Sequence, residues 1–236
     1  MDKYVIVGTD SMLNDIVDVV HALNGKVCAI YQNMKELPVR KGPTIKERIA
    51  LLGYPVEVHD DLDSFSIKPG FKYVQGLNSV QKYKMIGELK SAFEIQFTTL
   101  IHPDAYLGSN VKIGEGVFIN AKATIAPNAH IDDFCSINRS AVVGHDAYVG
   151  KFSRLGPSVS LAGSTTIGSH CSICISATVL DYVNIGDWSV IGAGAVVSKD
   201  IPEGKVAVGT PARVIRANEA RDFSKYLEKR ARQVSS

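Results

Sequence analysis

Residues 137–168 read INRSAVVGHDAYVGKFSRLGPSVSLAGSTTIG, and in this stretch every sixth residue is Ile, Leu or Val. The same rule holds without a miss from Ile101 to Val197, and the residue two places earlier is always small or β-branched. A helical period of about 3.6 residues drifts out of phase with such a repeat, which excludes an amphipathic helix. A fixed short repeat predicts a solenoid, in which each repeat buries its apolar side against its neighbours.

The hexad also predicts the cross-section of this solenoid. Side chains alternate along a strand, so the apolar residue i and residue i−2 point inward, while residues i+2 and i+3 form a corner. One hexad is too short to close a coil, and three hexads per coil give a triangular prism. Residues three hexads apart in the sequence are then neighbours in adjacent coils, about 4.8 Å apart.

Composition limits the classes of protein that fit the chain. Its 236 residues include 26 basic and 24 acidic side chains, with a formal net charge of +2. The two signs are mixed along the sequence, which argues against nucleic acid or a membrane as a partner. The sequence shows no secretory leader and no long apolar run, so we expect a cytoplasmic protein. Cys171 and Cys174 form a C-x2-C without a second pair, and we expect no metal and no disulfide framework.

The chain divides into three segments of different character. Residues 1–97 alternate strand and helix patterns, which predicts an α/β domain of βαβ type with a ligand at the ends of its strands. Residues 98–213 form the all-β prism, a parallel β-helix. Residues 214–236 are charged, and we expect a short C-terminal helix there.

Two neighbouring polar residues stand out at one predicted corner. His145 and Asp146 are the i+2 and i+3 residues of one hexad, so their side chains can project outward together. A neutral imidazole suits general-base chemistry, and a carboxylate stabilises its protonated form. Gly163 lies three hexads after His145 and offers an N–H group close to the base. A base next to an oxyanion donor is the arrangement that acyl transfer needs.

The chain resembles a known enzyme family in these motifs. The matching stretches are Ile137-Asn138, Val143-Gly144-His145-Asp146, Leu161-Ala162-Gly163, Ile191-Gly192-Ala193-Gly194 and Val208-Gly209-Thr210-Pro211-Ala212-Arg213. The family is that of bacterial nucleotide-sugar acetyltransferases, which join a βαβ domain to a left-handed β-helix of hexapeptide repeats. Bacillosamine and perosamine N-acetyltransferases and their sialic-acid O-acetyltransferase relatives belong to it.

The resemblance implies a reaction and a role for each candidate residue. His145 takes a proton from the acceptor as it attacks acetyl-CoA directly, and the preferred acceptor is the amino group of a nucleotide-linked sugar. Asp146 tunes the base, Asn138 shapes the site, and the Gly163 amide faces the oxyanion. The resemblance also implies a homotrimer, in which acetyl-CoA lies between two copies against Arg154, Gly163, Ile175 and Ala193.

The acceptor-binding residues depart from the family pattern. The turn after the first strand reads Gly8-Thr9-Asp10-Ser11-Met12, and Gln32-Asn33 replace two carboxylates after the second strand. A phosphate cradle at a helix N-terminus is disturbed by a nearby carboxylate such as Asp10. We therefore expect UDP to bind weakly and another nucleotide, or an acceptor without a diphosphate, to be preferred. The residues expected to contact the acceptor are Asp10, Ser11, Met12, Gln32 and Asn33.

Three other functions remain to be weighed against this one. O-acetylation of a sugar hydroxyl uses the same base and differs only in the acceptor atom. A zinc carbonic anhydrase on the same prism needs an H-x4-H pair, which the six histidines do not form. A non-catalytic binding scaffold agrees with the altered turn but leaves the set formed by Asn138, His145, Asp146 and Gly163 without a purpose.

Overall fold

The computed structural model of the chain describes residues 1–9, 12–32, 44–50, 52–78 and 82–219. The chain forms two compact units, Met1–Leu100 and Ile101–Ser236. The first is α/β and the second is built almost entirely from short parallel strands, so the predicted fold class is confirmed.

The first unit is a four-stranded parallel sheet with helices between its strands. Its elements are β1 (Lys3–Val7), α1 (Leu13–Ala22), β2 (Lys26–Tyr31), α2 (Ile45–Ala50), β3 (Glu57–His59), β4 (Phe71–Gln75) and α3 (Lys82–Phe93). The strand order is β3-β2-β1-β4, and all pairs are parallel. The carboxyl ends of all four strands therefore lie at one edge, where open α/β sheets bind ligands.

The second unit consists of two-residue strands that recur at the hexad spacing. They are β5 (Leu100–Ile101), β6 (Tyr106–Leu107), β7 (Lys112–Ile113), β8 (Phe118–Ile119), β9 (Thr124–Ile125), β10 (His130–Ile131), β11 (Ser136–Ile137), β12 (Val142–Val143), β13 (Tyr148–Val149), β14 (Arg154–Leu155), β15 (Ser160–Leu161), β16 (Thr166–Ile167), β17 (Ser172–Ile173), β18 (Thr178–Val179), β19 (Asn184–Ile185), β20 (Val190–Ile191) and β21 (Val196–Val197). Two longer strands follow, β22 (Lys205–Val208) and β23 (Arg213–Ala217).

These strands form three faces of a prism. Face 1 contains β5, β8, β11, β14, β17, β20, β22 and β23; face 2 contains β6, β9, β12, β15, β18 and β21; face 3 contains β7, β10, β13, β16 and β19. Within face 1, Ser136 pairs with Arg154 and Ile137 with Leu155 in parallel register. The partners in both pairs are three hexads apart, which confirms the predicted coil length.

The interior of the prism is the predicted hydrophobic column. Ile125, Ile131, Ile137 and Val143 are all 0% exposed, as are the small residues two places before them. At the start of the prism Leu107 is 38% exposed, and Ile101 and Ile113 are only partly buried. Each hexad is thus buried by the coils above and below it, as expected of a solenoid.

The corners have a constant backbone conformation. Residue i+3 of successive hexads has a positive φ near 60°, and this holds at Asn128, Asp146, Ser164 and Tyr182. Non-glycine residues adopt this region at a cost, which Asn and Asp bear best. The predicted corner at positions i+2 and i+3 is confirmed.

The C-terminal end of the prism differs from the prediction. Residues 214–217, expected to begin a helical tail, belong instead to β23, which pairs antiparallel with β22. The backbone groups of β22 explain this, because they are satisfied by pairing with a strand as the coil ends. The rest of the predicted helix, from residue 220 onward, lies outside the described residues.

Candidate active site

His145 and Asp146 lie together at the corner that follows face 2, directly after β12. The His145 Nδ1 atom is 2.8 Å from Asp146 Oδ2. The two side chains are 63% and 52% exposed. The hydrogen bonds from His145, and secondarily from Asn128, hold the pKa of Asp146 below its usual 3.8. An ionised carboxylate only accepts hydrogen bonds, so in the neutral imidazole Nδ1 carries the hydrogen and Nε2 keeps a lone pair.

Gly163 lies one coil above His145 and leaves room for the imidazole. A Cβ atom built on Gly163 would be 2.5 Å from His145 Nε2 and 2.6 Å from its Cε1 atom. The coils are joined here by a hydrogen bond from the Ser164 N–H to the His145 carbonyl, 2.8 Å long. The predicted stacking of Gly163 on His145 is confirmed, and the absence of a side chain is what permits it.

The Gly163 amide itself has a partner that the sequence did not reveal. Its N–H donates to Asp181 Oδ1 over 3.0 Å. Glu115 and Ser169 make the same bond to an aspartate one coil later, Asp133 and Asp187. The amide predicted as an oxyanion donor is therefore occupied by a carboxylate, and it can serve that role only when Asp181 moves away. Spacing alone could have identified Asp181, because it lies three hexads after Gly163.

Asn138, Ile175 and Ala193 lie at a different corner, between faces 1 and 2, and Arg154 lies on the adjoining face 1, whereas Gly163, also predicted to contact acetyl-CoA, lies at the His145 corner. Asn138 directly follows β11, and its Oδ1 accepts from the Arg139 N–H (2.7 Å) and Asn120 Nδ2 (3.3 Å). Arg154 is on face 1 one coil above, and its Nε donates to Ser172 Oγ over 3.0 Å.

The apolar residues predicted to contact acetyl-CoA stack at that second corner. Ile175 is 52% exposed, and its carbonyl accepts a 3.0 Å hydrogen bond from Gly194, the residue after the exposed Ala193. Within one chain the structure therefore brings His145, Asp146 and Gly163 together, whereas Asn138, Arg154, Ile175 and Ala193 lie in successive coils along the other side of face 2. It does not join the two groups, because they lie at opposite ends of face 2.

The outer surface of face 2, between these corners, is uncharged. Its outward-facing residues are Tyr106, Thr124, Val142, Ser160, Thr178 and Val196. Val142 is 38% and Tyr106 60% exposed. Face 1, in contrast, carries Arg154, and face 3 carries Lys112. Burying face 2 against another molecule therefore removes fewer charged groups from water than burying face 1 or face 3, so its desolvation costs least.

The residues predicted to bind the acceptor have mixed outcomes in the first unit. Asp10, Ser11 and Asn33 lie outside the described residues. Met12 is 3% exposed within the core at the start of α1, and its contact with the acceptor stays a prediction. Its thioether side chain is held there by hydrophobic burial. Gln32 is 3% exposed; its Nε2 donates to Asp60 Oδ1 over 3.0 Å, and its Oε1 has no hydrogen-bond partner.

Gln75 is a polar residue that sequence reasoning missed. It ends β4, is 2% exposed, and accepts from the Leu77 N–H at Oε1, while its Nε2 has no hydrogen-bond partner. Gln32 and Gln75 flank β1 at the carboxyl edge of the sheet. A glutamine that ends a strand directly after Tyr73 and Val74 was the signal that could have identified it. Buried amide atoms without partners are costly, so this edge is a candidate site for a polar ligand.

Two further observations concern only the described residues. No group of three His, Cys, Asp or Glu side chains among them is placed to hold a metal ion. In the same part of the chain, no helix combines the length and the apolar character that crossing a bilayer requires.

Comparison with known proteins gave curated relatives and solved structures, but no protein-family model matches the chain. It is 36% identical over 132 residues to the galactoside O-acetyltransferase of Escherichia coli (strain K12), covering 54% of this chain and 65% of that protein. A putative acetyltransferase of Staphylococcus aureus (strain MRSA252) is 35% identical over 138 residues, covering 58% of this chain and 69% of that protein.

A solved structure extends the similarity over nearly the whole chain. PerB from Caulobacter crescentus, a perosamine N-acetyltransferase in complex with CoA and GDP-perosamine, has a TM-score of 0.76 and 26% identity. The match covers 92% of this chain and 98% of that chain.

The repeat, the corner histidine and these similarities define the class. The chain belongs to the acetyltransferases of the hexapeptide-repeat superfamily, whose common fold is the left-handed β-helix. Among the solved structures similar over nearly the whole chain, PerB is a perosamine N-acetyltransferase. The family resemblance predicted from the sequence is confirmed.

Proposed function

We propose that this protein transfers the acetyl group of acetyl-CoA to an amino group of a nucleotide-linked amino sugar. The observation that carries the proposal is the His145–Asp146 pair, in which Nδ1 is bound to a carboxylate at 2.8 Å and Nε2 faces Gly163. Such a pair supplies a general base in a fixed tautomer. The similarity to PerB, solved with CoA and GDP-perosamine, supports the choice of substrates.

The chemical step follows from the position of Nε2. The acceptor nitrogen attacks the thioester carbonyl carbon as Nε2 removes a proton from that nitrogen. A carbon–nitrogen bond forms, the carbon–sulfur bond breaks, and the proton can pass to the departing thiolate. The oxyanion formed on the way needs a hydrogen-bond donor, and we assign this role to the Gly163 amide after its release from Asp181.

Acetyl-CoA would bind at the second corner, against residues of the required chemistry. Ile175 and Ala193 offer an exposed apolar column for the pantetheine arm, and Arg154 is a permanent cation for a phosphate or for the thioester region. Because the two corners are separate in one chain, we propose a homotrimer in which each His145 corner faces the Asn138 corner of a neighbouring copy. The uncharged face 2 supports such packing.

The acceptor nucleotide is assigned to the carboxyl edge of the sheet in the first unit. The Gln32 Oε1 acceptor and the Gln75 Nε2 donor are described groups there that lack partners, and amides of this kind recognise the edge of a base. Because the sequence places the carboxylate of Asp10 shortly after β1, we expect weak UDP binding. Calorimetric titration with UDP and GDP tests this, since micromolar UDP affinity that Asp10→Gly leaves unchanged would contradict it.

The activity is tested with acetyl-CoA and a panel of nucleotide-linked and free amino sugars, by mass spectrometry of the acceptor. We expect gain of one acetyl group that survives mild alkali, as an amide does. A product that alkali removes would instead indicate an ester, as the galactoside O-acetyltransferase relative suggests. Absence of transfer to any acceptor would contradict the proposal and favour a binding scaffold.

Two variants test the assigned base. His145→Ala should lower kcat by about 10²–10⁴, the usual contribution of a general base, with little change in thermal stability because the side chain is 63% exposed. Asp146→Asn should cost less, since it only tunes the base. A loss below tenfold for His145→Ala, or a larger loss for Asp146→Asn, would show that the roles are misassigned.

A further inference from the structure

A column of hydrogen-bonded polar side chains runs along the prism corner below His145. Asn110, Asn128 and Asp146 occupy the i+3 position in three consecutive coils, with φ of 57°, 63° and 59°. Asn110 Nδ2 donates to Asn128 Oδ1 over 3.3 Å, and Asn128 Nδ2 donates to Asp146 Oδ1 over 3.1 Å. The spacing of three hexads places each side chain directly above the previous one.

This column has a direction set by its chemistry. An amide nitrogen only donates and an ionised carboxylate only accepts, so the series ends at Asp146. Asp146 uses its two oxygens for different partners, Oδ1 for Asn128 and Oδ2 for His145. Asn128 is the second contributor, after His145, to the lowered pKa of the Asp146 carboxyl.

Because the corner is exposed, the carboxylate of Asp146 needs Asn128 as well as His145 to hold its orientation. Asp146 and His145 are both more than half exposed, and the terminal torsion of an aspartate is broad. With its backbone fixed by the hydrogen bond from Asp146 N–H to the Pro127 carbonyl (3.1 Å), the carboxylate group can still rotate. The Asn128 bond to Oδ1 prevents that rotation and leaves Oδ2 facing the imidazole.

We infer that Asn128 is a positioning residue, which acts through Asp146 to hold His145 in the tautomer with hydrogen on Nδ1. Nε2 is then the basic atom next to Gly163. The inference rests on the proposed function for its catalytic consequence, but the tautomer itself can be measured without activity. Asn110 acts one step further away by orienting the Asn128 amide.

The test combines two variants at position 128 with nitrogen NMR of labelled histidine. Asn128→Gly removes the donor and suits the positive φ, whereas Asn128→Asp keeps the size and removes the donor. Both should change the His145 signal, assigned with His145→Gln, from one tautomer to a mixture. Both should lower kcat about tenfold, a part of the 10²–10⁴ that a general base supplies, with the KM for acetyl-CoA unchanged.

Controls separate positioning from a structural role. Asn24→Gly makes the same exposed change at a positive φ of 54° in the first unit and should leave tautomer and kcat as in the wild type. Asn110→Gly should have a smaller effect than Asn128→Gly. If Asn128→Asp retains both the wild-type tautomer and kcat, Asn128 only fills space and the inference is wrong. A tautomer change in a protein that acetylates no sugar would support the inference and contradict the proposed function.

Discussion

At the scale of single residues, activity and stability are separate properties of the His145 corner. His145 and Asp146 project into solvent and contribute little packing, yet the distance of 2.8 Å between them carries the proposal that His145 is the base. Gly163 is important because it has no side chain, since any side chain there would overlap the imidazole. Substitutions at this corner should therefore change kcat far more than thermal stability.

Gly163→Ala tests this separation. The added methyl would meet the His145 ring at 2.5 Å, and the exposed ring can turn away, so the fold should be retained while the base is displaced. We expect kcat to fall about 100-fold, as misplacement by about 1 Å can cause, with an unchanged melting temperature. Gly87→Ala in α3, where a Cβ meets nothing within 4 Å, is the matched control. Full activity of Gly163→Ala would contradict the assigned position of the base.

Asp181→Ala tests the competition for the Gly163 amide. The carboxylate occupies the N–H group that the oxyanion needs, so its removal should raise kcat about two- to tenfold, a small part of the 10²–10³ that such a donor contributes. Asp187→Ala loses the equivalent bond to the Ser169 amide, away from His145, and should leave kcat unchanged. A lower kcat with a raised acceptor KM would show instead that Asp181 binds the acceptor.

At the scale of the strand and its corner, some of the small residues in the prism interior form hydrogen bonds between coils. Ser153 is 0% exposed and joins two coils: its Oγ donates to the Gly168 carbonyl (2.7 Å) and accepts from the Cys171 N–H (2.8 Å). Ser189 makes a similar pair of bonds to Pro202 and Lys205. At other hexads the corresponding N–H donates directly to the carbonyl three residues earlier, as Ala177 does to Cys174 over 3.2 Å, whereas the Ser153 hydroxyl is inserted between the two groups at Cys171 and Gly168.

Ser153→Ala should therefore destabilise the prism although alanine is common at this hexad position. It leaves a buried N–H and a buried carbonyl without partners, and we expect a loss of about 1–3 kcal/mol in the free energy of unfolding. Urea denaturation at fixed protein concentration measures it, with the exposed Ser198→Ala as a control. A change below about 0.5 kcal/mol, the range of ordinary surface substitutions, would show that water or a neighbour replaces the hydroxyl.

At the scale of the whole molecule, the separation of the two corners by face 2 makes the proposed site depend on the proposed homotrimer. His145 belongs to one corner and Asn138 to the other, and no rearrangement of side chains can join them across a strand. A closed ring of identical copies would bring the two corners together by symmetry. Light scattering that shows a monomer at micromolar concentration would contradict this arrangement.

Mixed trimers test it more directly. His145→Ala and Asn138→Ala chains should each be nearly inactive alone. Unfolded together in equal amounts and refolded, they should regain about one quarter of wild-type activity, because each ring of mixed composition contains one site with both residues intact. Mixing the folded variants without exchange is the control. No recovery after verified exchange would show that both residues act within one copy.

The sequence alone determined the prism, its coil length and the corner that carries His145. The reason is that the hexad period acts through local geometry: alternation along a strand decides what is buried, and a shift of three hexads decides what is stacked. The stacking of Gly163 above His145 followed from adding three hexads to position 145.

Only the tertiary structure decided which polar atoms bond. The three-hexad spacing stacks Asp181 on Gly163 and Asp146 on Asn128, but the bonds that these side chains form, and the hydroxyl bridge at Ser153, depend on side-chain directions that no period specifies. The burial of Met12 and the unpaired amide of Gln75 depend on how a strand and a helix pack in the first unit. The C-terminal strand β23 was wrongly expected to be helical because its stability comes from pairing with β22, a contact between segments rather than a local preference.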